Sequence, residues 1–196
     1  MDVLVVRHGP TEWSRTGRHT GRTDVPLDPA GRALAATLAP VVAAWAPQVV
    51  LSSPLARALD TCRLAGCGEG ATIDDDLREW DYGADEGRTT PEIRRERPGW
   101  TVWRDGPAEG ERIEEVAARA DRALGRIAAL GVDRVAVFSH GHFLRVFAAR
   151  WLRLPPVTGA HLALDAGTLS LLGHERETPV ITRWNVSVGA GAVSVL

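Results

Sequence analysis

Asp2-Val3-Leu4-Val5-Val6-Arg7-His8-Gly9 decides the fold of this chain. Val3 to Val6 are all apolar and mostly β-branched, with no alternating polar face. Such a run reads as a strand covered on both sides, the kind that belongs to a parallel sheet with helices on each face. The run stops at an arginine, then a histidine, then a glycine. The same grammar returns at Val135-Ala136-Val137-Phe138-Ser139-His140-Gly141-His142. In an open parallel sheet, ligands bind beyond the carboxyl ends of the strands. His8 and His140 are therefore expected to converge there.

Between and beyond these strands the chain alternates. Gly9–Pro26 is polar loop. Asp28-Pro29 supplies an N-cap and a first-turn proline for a helix reaching about Ala46. Val49–Leu51 reads as the second strand, Pro54 as the start of a helix to about Leu64, and Ile73 as part of a short third strand. Ile113, Val116, Ala117, Ala120, Leu124 and Ile127 keep helical spacing up to Leu130. Gly141–Trp151 is a helix, and strands are expected near Leu162–Leu164, Leu169–Leu172 and Ile181–Asn185. The tail Gly189–Leu196 reads as loose. Residues 88–110 hold three prolines, two tryptophans and many charges, with a short helix at Pro91–Arg97. They read as a lid-like excursion. The expectation is one domain over 1–196, an α/β three-layer α/β/α sandwich with a mostly parallel central sheet.

Bulk properties narrow the function. Of 196 residues 44% are hydrophobic, enough for a substantial core. A net charge of −2 and a pI near 6.3 argue against nucleic acid as a partner. All 23 basic residues are arginine, so no lysine Schiff base or P-loop lysine is available. Cys62 and Cys67 are the only cysteines, too few for a zinc or disulfide framework. No leader and no membrane-spanning run are expected, which points to the cytoplasm. Homo-oligomerisation stays open.

The chemistry lies in four phrases. Two histidines and two arginines, each just past an apolar run, make a poor metal site and a good phosphate site. Imidazole is a nucleophile at neutral pH and can form a phosphohistidine. Gly9 would let a phosphate approach the backbone. Gly141 starts a helix whose free N–H groups are expected to face the same spot. Arg57, in Ser53-Pro54-Leu55-Ala56-Arg57-Ala58, sits in the first helical turn, where the dipole disfavours a cation. A phosphate against it would resolve that conflict. Arg7 and Arg57 would clamp the oxygens of a transferring phosphoryl group. A carboxyl must protonate the leaving oxygen. Glu79 is the candidate, among Asp74, Asp75, Asp76, Asp81, Asp85 and Glu86.

Taken together, Arg7-His8-Gly9, Thr20-Gly21, Ser53-Pro54-Leu55-x-Arg57-Ala58, Leu77-x-Glu79-x-x-x-Gly83 and Ser139-His140-Gly141-His142 resemble the histidine phosphatase superfamily, the phosphoglycerate-mutase-like group. The branch they resemble holds bacterial acid phosphatases and sugar bisphosphatases. The resemblance covers most of residues 2–151. It implies that His8 is the nucleophile and Glu79 the acid and base, and that Arg7, Arg57 and His140 complete the phosphate pocket. It further implies substrate contacts at Thr11, Ser14, Thr20, Gly21 and Tyr82. Gly141 and His142, at the helix start, are themselves expected to line the pocket and contact substrate. Pro10 stands where the family often has glutamate, and Gly110-Glu111-Arg112 replaces the frequent Gly-Glu-Ser.

The expected activity is metal-independent and cofactor-free hydrolysis of a small phosphorylated metabolite. A cofactor-dependent mutase is the first rival; residues 88–110 look short for it. A catalytically silent phosphoester-binding domain is the second. Trp13, Trp80, Trp100 and Trp103 are candidates to line the cleft. Arg94, Arg95, Arg97 and Arg104 are candidates to grip a distal phosphate.

Overall fold

The computed structural model describes residues 1–188, so the tail expectation for Gly189–Leu196 lies outside the described residues. Strands β1 (Asp2–Arg7), β2 (Val49–Ser52), β3 (Thr72–Ile73), β4 (Arg134–Ser139), β5 (Leu169–Glu175) and β6 (Thr178–Val186) form one sheet in the order β3-β2-β4-β1-β5-β6. The pairs β2–β3, β2–β4 and β1–β4 are parallel. The pairs β1–β5 and β5–β6 are antiparallel and close one edge. The sheet is thus mixed but mostly parallel, as expected.

Helices cover both faces. They are α1 (Glu12–Arg15), α2 (Pro29–Thr37), α3 (Ala39–Trp45), α4 (Ala56–Leu64), α5 (Thr90–Glu96), α6 (Val102–Asp105), α7 (Ile113–Ala129) and α8 (Gly141–Trp151). The apolar run of β1 splits by strand period between two cores. Val3 and Val5 join Val135 and Val137 under α7 and α8, with Val116, Ile127, Phe143 and Phe147. Leu4 and Val6 join Ala136 and Phe138 under α3 and α4, with Leu38, Val42 and Cys62. A strand with a full core on each side has no position for a polar residue until it ends. This is why Arg7 and His8 come only there.

Two expectations need correction. The single helix to Ala46 is divided at Leu38 into α2 and α3. Pro40 lacks an N–H and its ring crowds the preceding turn, so it tolerates only the start of a new helix. The strand at Leu162–Leu164 is absent. A 3-10 turn over Pro156–His161 and irregular chain take its place, and the Leu164 carbonyl accepts a hydrogen bond from Arg7. Residues 88–110 carry α5 and α6, joined to the body by a bridge between Arg18 and Thr89.

Candidate active site

Register brings the two histidines together. Arg7 pairs with Ser139 across the parallel β1–β4 ladder, and the His8 N–H donates to the Ser139 carbonyl at 3.0 Å. The next residues, His8 and His140, leave the sheet side by side with ring centres 5.2 Å apart. On the other flank of β4, Ser52 pairs with Phe138, so the loop after β2 delivers Arg57 from α4 to the same place.

A cavity of about 240 Å³ opens there. Its lining includes Arg7, His8, Ser14, Thr20, Glu79, Tyr82, Gly141 and His142. Eight of the twelve residues singled out from sequence therefore face one space. Thr11, Gly21, Arg57 and His140 are not among the lining residues.

His8 has a defined proton arrangement. Its Nδ1 lies 2.7 Å from the Gly9 carbonyl, which can only accept, so Nδ1 carries the hydrogen. Burial, then the nearby Arg57 and Arg7 charges, hold its pKa well below the ordinary imidazole value. At neutral pH the ring is uncharged, and the lone pair is on Nε2.

His140 is held differently. Arg57 Nε donates to its Nδ1 at 3.1 Å, so Nδ1 is the acceptor, and in the neutral ring Nε2 donates to Ser53 Oγ at 2.8 Å. Burial and the Arg57 charge keep this ring neutral too. Arg57 is fully buried. It also donates to the carbonyls of Thr20, Gly21 and Thr23 at 2.9–3.0 Å. Its unfavourable place in the α4 first turn is thus offset by loop carbonyls that shape the cavity wall. Arg7 donates to the Leu164 carbonyl, and its buried Nε has no partner among the described residues. An unpaired buried donor costs free energy unless a ligand meets it.

The N-terminus of α8 differs from expectation. Its N–H groups hold Glu79: Phe143 N–H donates to Oε1 at 2.8 Å and His142 N–H to Oε2 at 3.1 Å. Trp80 N–H adds a third bond to Oε1 at 2.9 Å. The dipole end seats a carboxylate. Gly9 also serves another purpose. A Cβ there would stand 2.6 Å from the Gly31 carbonyl oxygen, so the close approach is to α2.

Of the family-implied substrate contacts, Thr11 is buried and caps α1 in a reciprocal box with Ser14. Tyr82 Oη lies 2.6 Å from His142 Nδ1. Of the four tryptophans, none lines the cavity. Trp80 and Trp100 are buried, Trp103 packs behind His142 with ring centres 5.2 Å apart, and Trp13 packs toward Gly87. Arg94, Arg97 and Arg104 bond Trp100, Asp85 and Asp105, and none of the four lid arginines reaches the cavity. In their place the wall holds Arg18, His19 and Arg145. Arg145, the i+4 neighbour of Gly141 on one helix face, was not singled out, because nothing in the sequence marks that face as the one turned to the cavity. Arg18 lies inside the Gly9–Pro26 loop but carried no signal of its own. Thr90 and Leu164 carried none.

An uncharged imidazole with one free nitrogen, flanked by the buried Arg57 guanidinium and the half-buried Arg7, is built for an anion that is also an electrophile, as a phosphate ester is. The histidine phosphatase superfamily (branch 1) matches residues 3–187, and the chain belongs to it as a phosphatase of that class. An acid phosphatase of Mycobacterium tuberculosis is 39% identical over 176 residues, covering 88% of this chain and 86% of that one. The sedoheptulose 1,7-bisphosphatase of Saccharomyces cerevisiae is 36% identical over 183 residues, covering 77% and 67%. The solved structure of a Mycobacterium tuberculosis open reading frame superposes with a TM-score of 0.90 at 36% identity. That match covers 96% of this chain and 98% of the other.

Proposed function

We propose that the protein is a metal-independent phosphomonoesterase that hydrolyses small phosphate esters of sugars or similar metabolites through a phosphohistidine on His8. The observation that carries this is the His8 proton arrangement: Nδ1–H is fixed on the Gly9 carbonyl, and Nε2 is left as a lone pair at the cavity. Nε2 attacks phosphorus and a N–P bond forms as the ester P–O bond breaks. Glu79 passes a proton to the departing alkoxide. Its Oε2 accepts one backbone bond where Oε1 accepts two, so Oε2 has room to carry that proton. Water then attacks the phosphohistidine and gives its proton to Glu79. Inorganic phosphate leaves and His8 is restored. Arg7 and the Arg57 charge balance the growing negative charge on the phosphoryl oxygens. Two guanidinium groups would repel a metal ion at the same point.

The cavity also favours a modest substrate. Its 240 Å³ is below the roughly 300–1,000 Å³ of ordinary small-molecule pockets. Hydrolysis is preferred over the mutase reading because Arg94, Arg97 and Arg104 of the lid are engaged elsewhere and Arg95 does not line the cavity. A cytoplasmic setting suits Cys62 and Cys67, which are free thiols; burial pushes the Cys62 pKa to about 12.

The test uses p-nitrophenyl phosphate and an alkyl phosphate, with the enzyme quenched in alkali during turnover. An acid-labile phosphoryl group should be trapped on the wild type and be missing from His8→Ala, whose kcat should fall at least a thousandfold. A substantial residual rate in His8→Ala refutes the assignment. EDTA should leave the wild-type rate unchanged.

A further inference from the structure

The peptide that joins His8 to Gly9 is gripped from both sides. Its N–H donates to Thr61 Oγ1 of α4 at 3.0 Å, and its carbonyl accepts from the Gly167 N–H at 2.9 Å. The next carbonyl, that of Gly9, accepts the Nδ1–H of His8 at 2.7 Å. The ring that presents its lone pair to the cavity thus hangs from a short backbone segment held by its neighbours.

That segment needs an outside anchor. Residue 9 must be glycine for space, since a Cβ there would stand 2.6 Å from the Gly31 carbonyl oxygen. Glycine has the widest choice of backbone angles, so the turn has no stiffness of its own. Thr61 supplies the side-chain half of the grip, and it is fully buried. Its hydroxyl also donates to the Arg57 carbonyl, one turn back in α4, at 2.7 Å. That back-bond by itself satisfies a helical threonine. The second bond serves Gly9, whose buried N–H would otherwise lack an acceptor. One oxygen therefore ties the His8 turn to the helical turn that carries Arg57.

We propose that Thr61 is a positioning residue for phosphoryl transfer, its hydroxyl fixing the spacing between His8 Nε2 and the Arg57 turn. The inference rests on the reading of His8 as the nucleophile. Thr61 does not line the cavity, so it acts through the His8–Gly9 peptide and not on the ester. An attacking atom misplaced by about 1 Å costs on the order of a hundredfold in rate. Loss of the hydroxyl should slow the transfer and leave ester binding in place.

The experiment separates hydroxyl from volume. T61V keeps the volume and loses the hydroxyl, T61S keeps the hydroxyl and loses a methyl, and T61A loses both. Each is mixed in excess over p-nitrophenyl phosphate. Nitrophenolate release then reports the first transfer alone, and its dependence on enzyme concentration reports binding. A shortage of folded enzyme shifts the half-saturating concentration and leaves the saturating rate constant unchanged. T61V and T61A should lower that rate constant about tenfold to a hundredfold. T61S should stay close to the wild type. A T61V rate equal to the wild type overturns the proposal, as does a T61S rate as low as that of T61A. If T61V does not fold, T61A against T61S carries the same comparison, because they differ by the hydroxyl alone. H8A separates the two readings. If H8A is inactive and T61V runs at the wild-type rate, only the positioning role falls. If H8A keeps the wild-type rate, the nucleophile assignment fails and the role of Thr61 with it.

Discussion

Gly141 shows how tightly the Arg7 guanidinium is seated. A Cβ on residue 141 would stand 3.1 Å from both Cζ and Nε of Arg7, closer than side chains normally tolerate. Gly141 is also the first residue of α8, where alanine is the better helix former by about 0.5–1 kcal/mol. Gly141→Ala should therefore keep or slightly raise the Tm while lowering kcat/KM about tenfold or more, since misplacing Arg7 in its proposed role as a phosphate clamp is costly. Thermal melts and steady-state kinetics on the same preparation check both halves. Unchanged kinetics would mean that Arg7 is not positioned by this contact. Gly31 gives the opposite pairing. A Cβ there would stand 2.0 Å from the Pro10 carbonyl oxygen, a backbone atom with no way to move aside. Gly31→Ala should cost about 1–3 kcal/mol by overpacking, seen as a lower denaturant midpoint.

At the level of elements, Glu79 depends on α7. Arg119 from that helix donates to the carbonyls of Asp76, Arg78 and Glu79, and to both oxygens of Glu111. Glu111 in turn accepts from Asp81 N–H through its carboxylate and from Trp80 Nε1 through its carbonyl. The segment around Glu79 is thus sewn to α7 on one side and to the α8 N-terminus on the other. The Glu111 seen in the altered Gly-Glu-Ser phrase has this role, whereas Arg112 caps α7. Arg119→Ala leaves buried carbonyls without donors and lets the loop drift. On the proposed role of Glu79 at the leaving oxygen, the loss should be several-fold larger for an alkyl phosphate than for p-nitrophenyl phosphate, whose leaving group needs little help. Equal losses on the two substrates would assign Arg119 to folding alone.

The whole molecule carries a pH signature. His8, His140 and His142 have pKa values held well below 6.5, first by burial and then by neighbouring arginines, and burial lowers His19 as well. In the unfolded chain each returns to about 6.5. Below that pH the unfolded state binds more protons than the folded one, so stability falls as pH falls. The full contribution is present above about pH 7. The loss begins near 6.5 and continues until the lower folded-state values are reached. Each histidine contributes up to about 1.4 kcal/mol per pH unit in that window. The Tm should drop markedly from pH 7.5 to 5.5, and His142→Phe should flatten the drop. A Tm independent of pH over this range would contradict neutral burial of these rings.

Much of this was legible in the chain itself. The runs Val3–Val6 and Val135–Phe138 announce buried parallel strands, because a strand with a core on both faces admits only apolar residues. The residues that follow them are the candidate functional ones, since polar groups are excluded until the strand ends. His8, Arg7, Glu79, Ser14, Thr20, Tyr82, Gly141 and His142 were readable on those grounds or by family resemblance, and all line one cavity. Tertiary structure alone decided the rest. Which partner an N–H or guanidinium meets depends on segments far apart in sequence. The α8 N-terminus faces Glu79, 63 and 64 residues away by chain, and Arg57 faces the loop at 20–23. The break at Leu38 and the irregular path through Leu164 depend on packing that no local pattern records. The placing of Arg18 and Arg145 is of the same kind: they are ordinary arginines in the sequence, and only the fold sets them on the same cavity as His8 and Arg7.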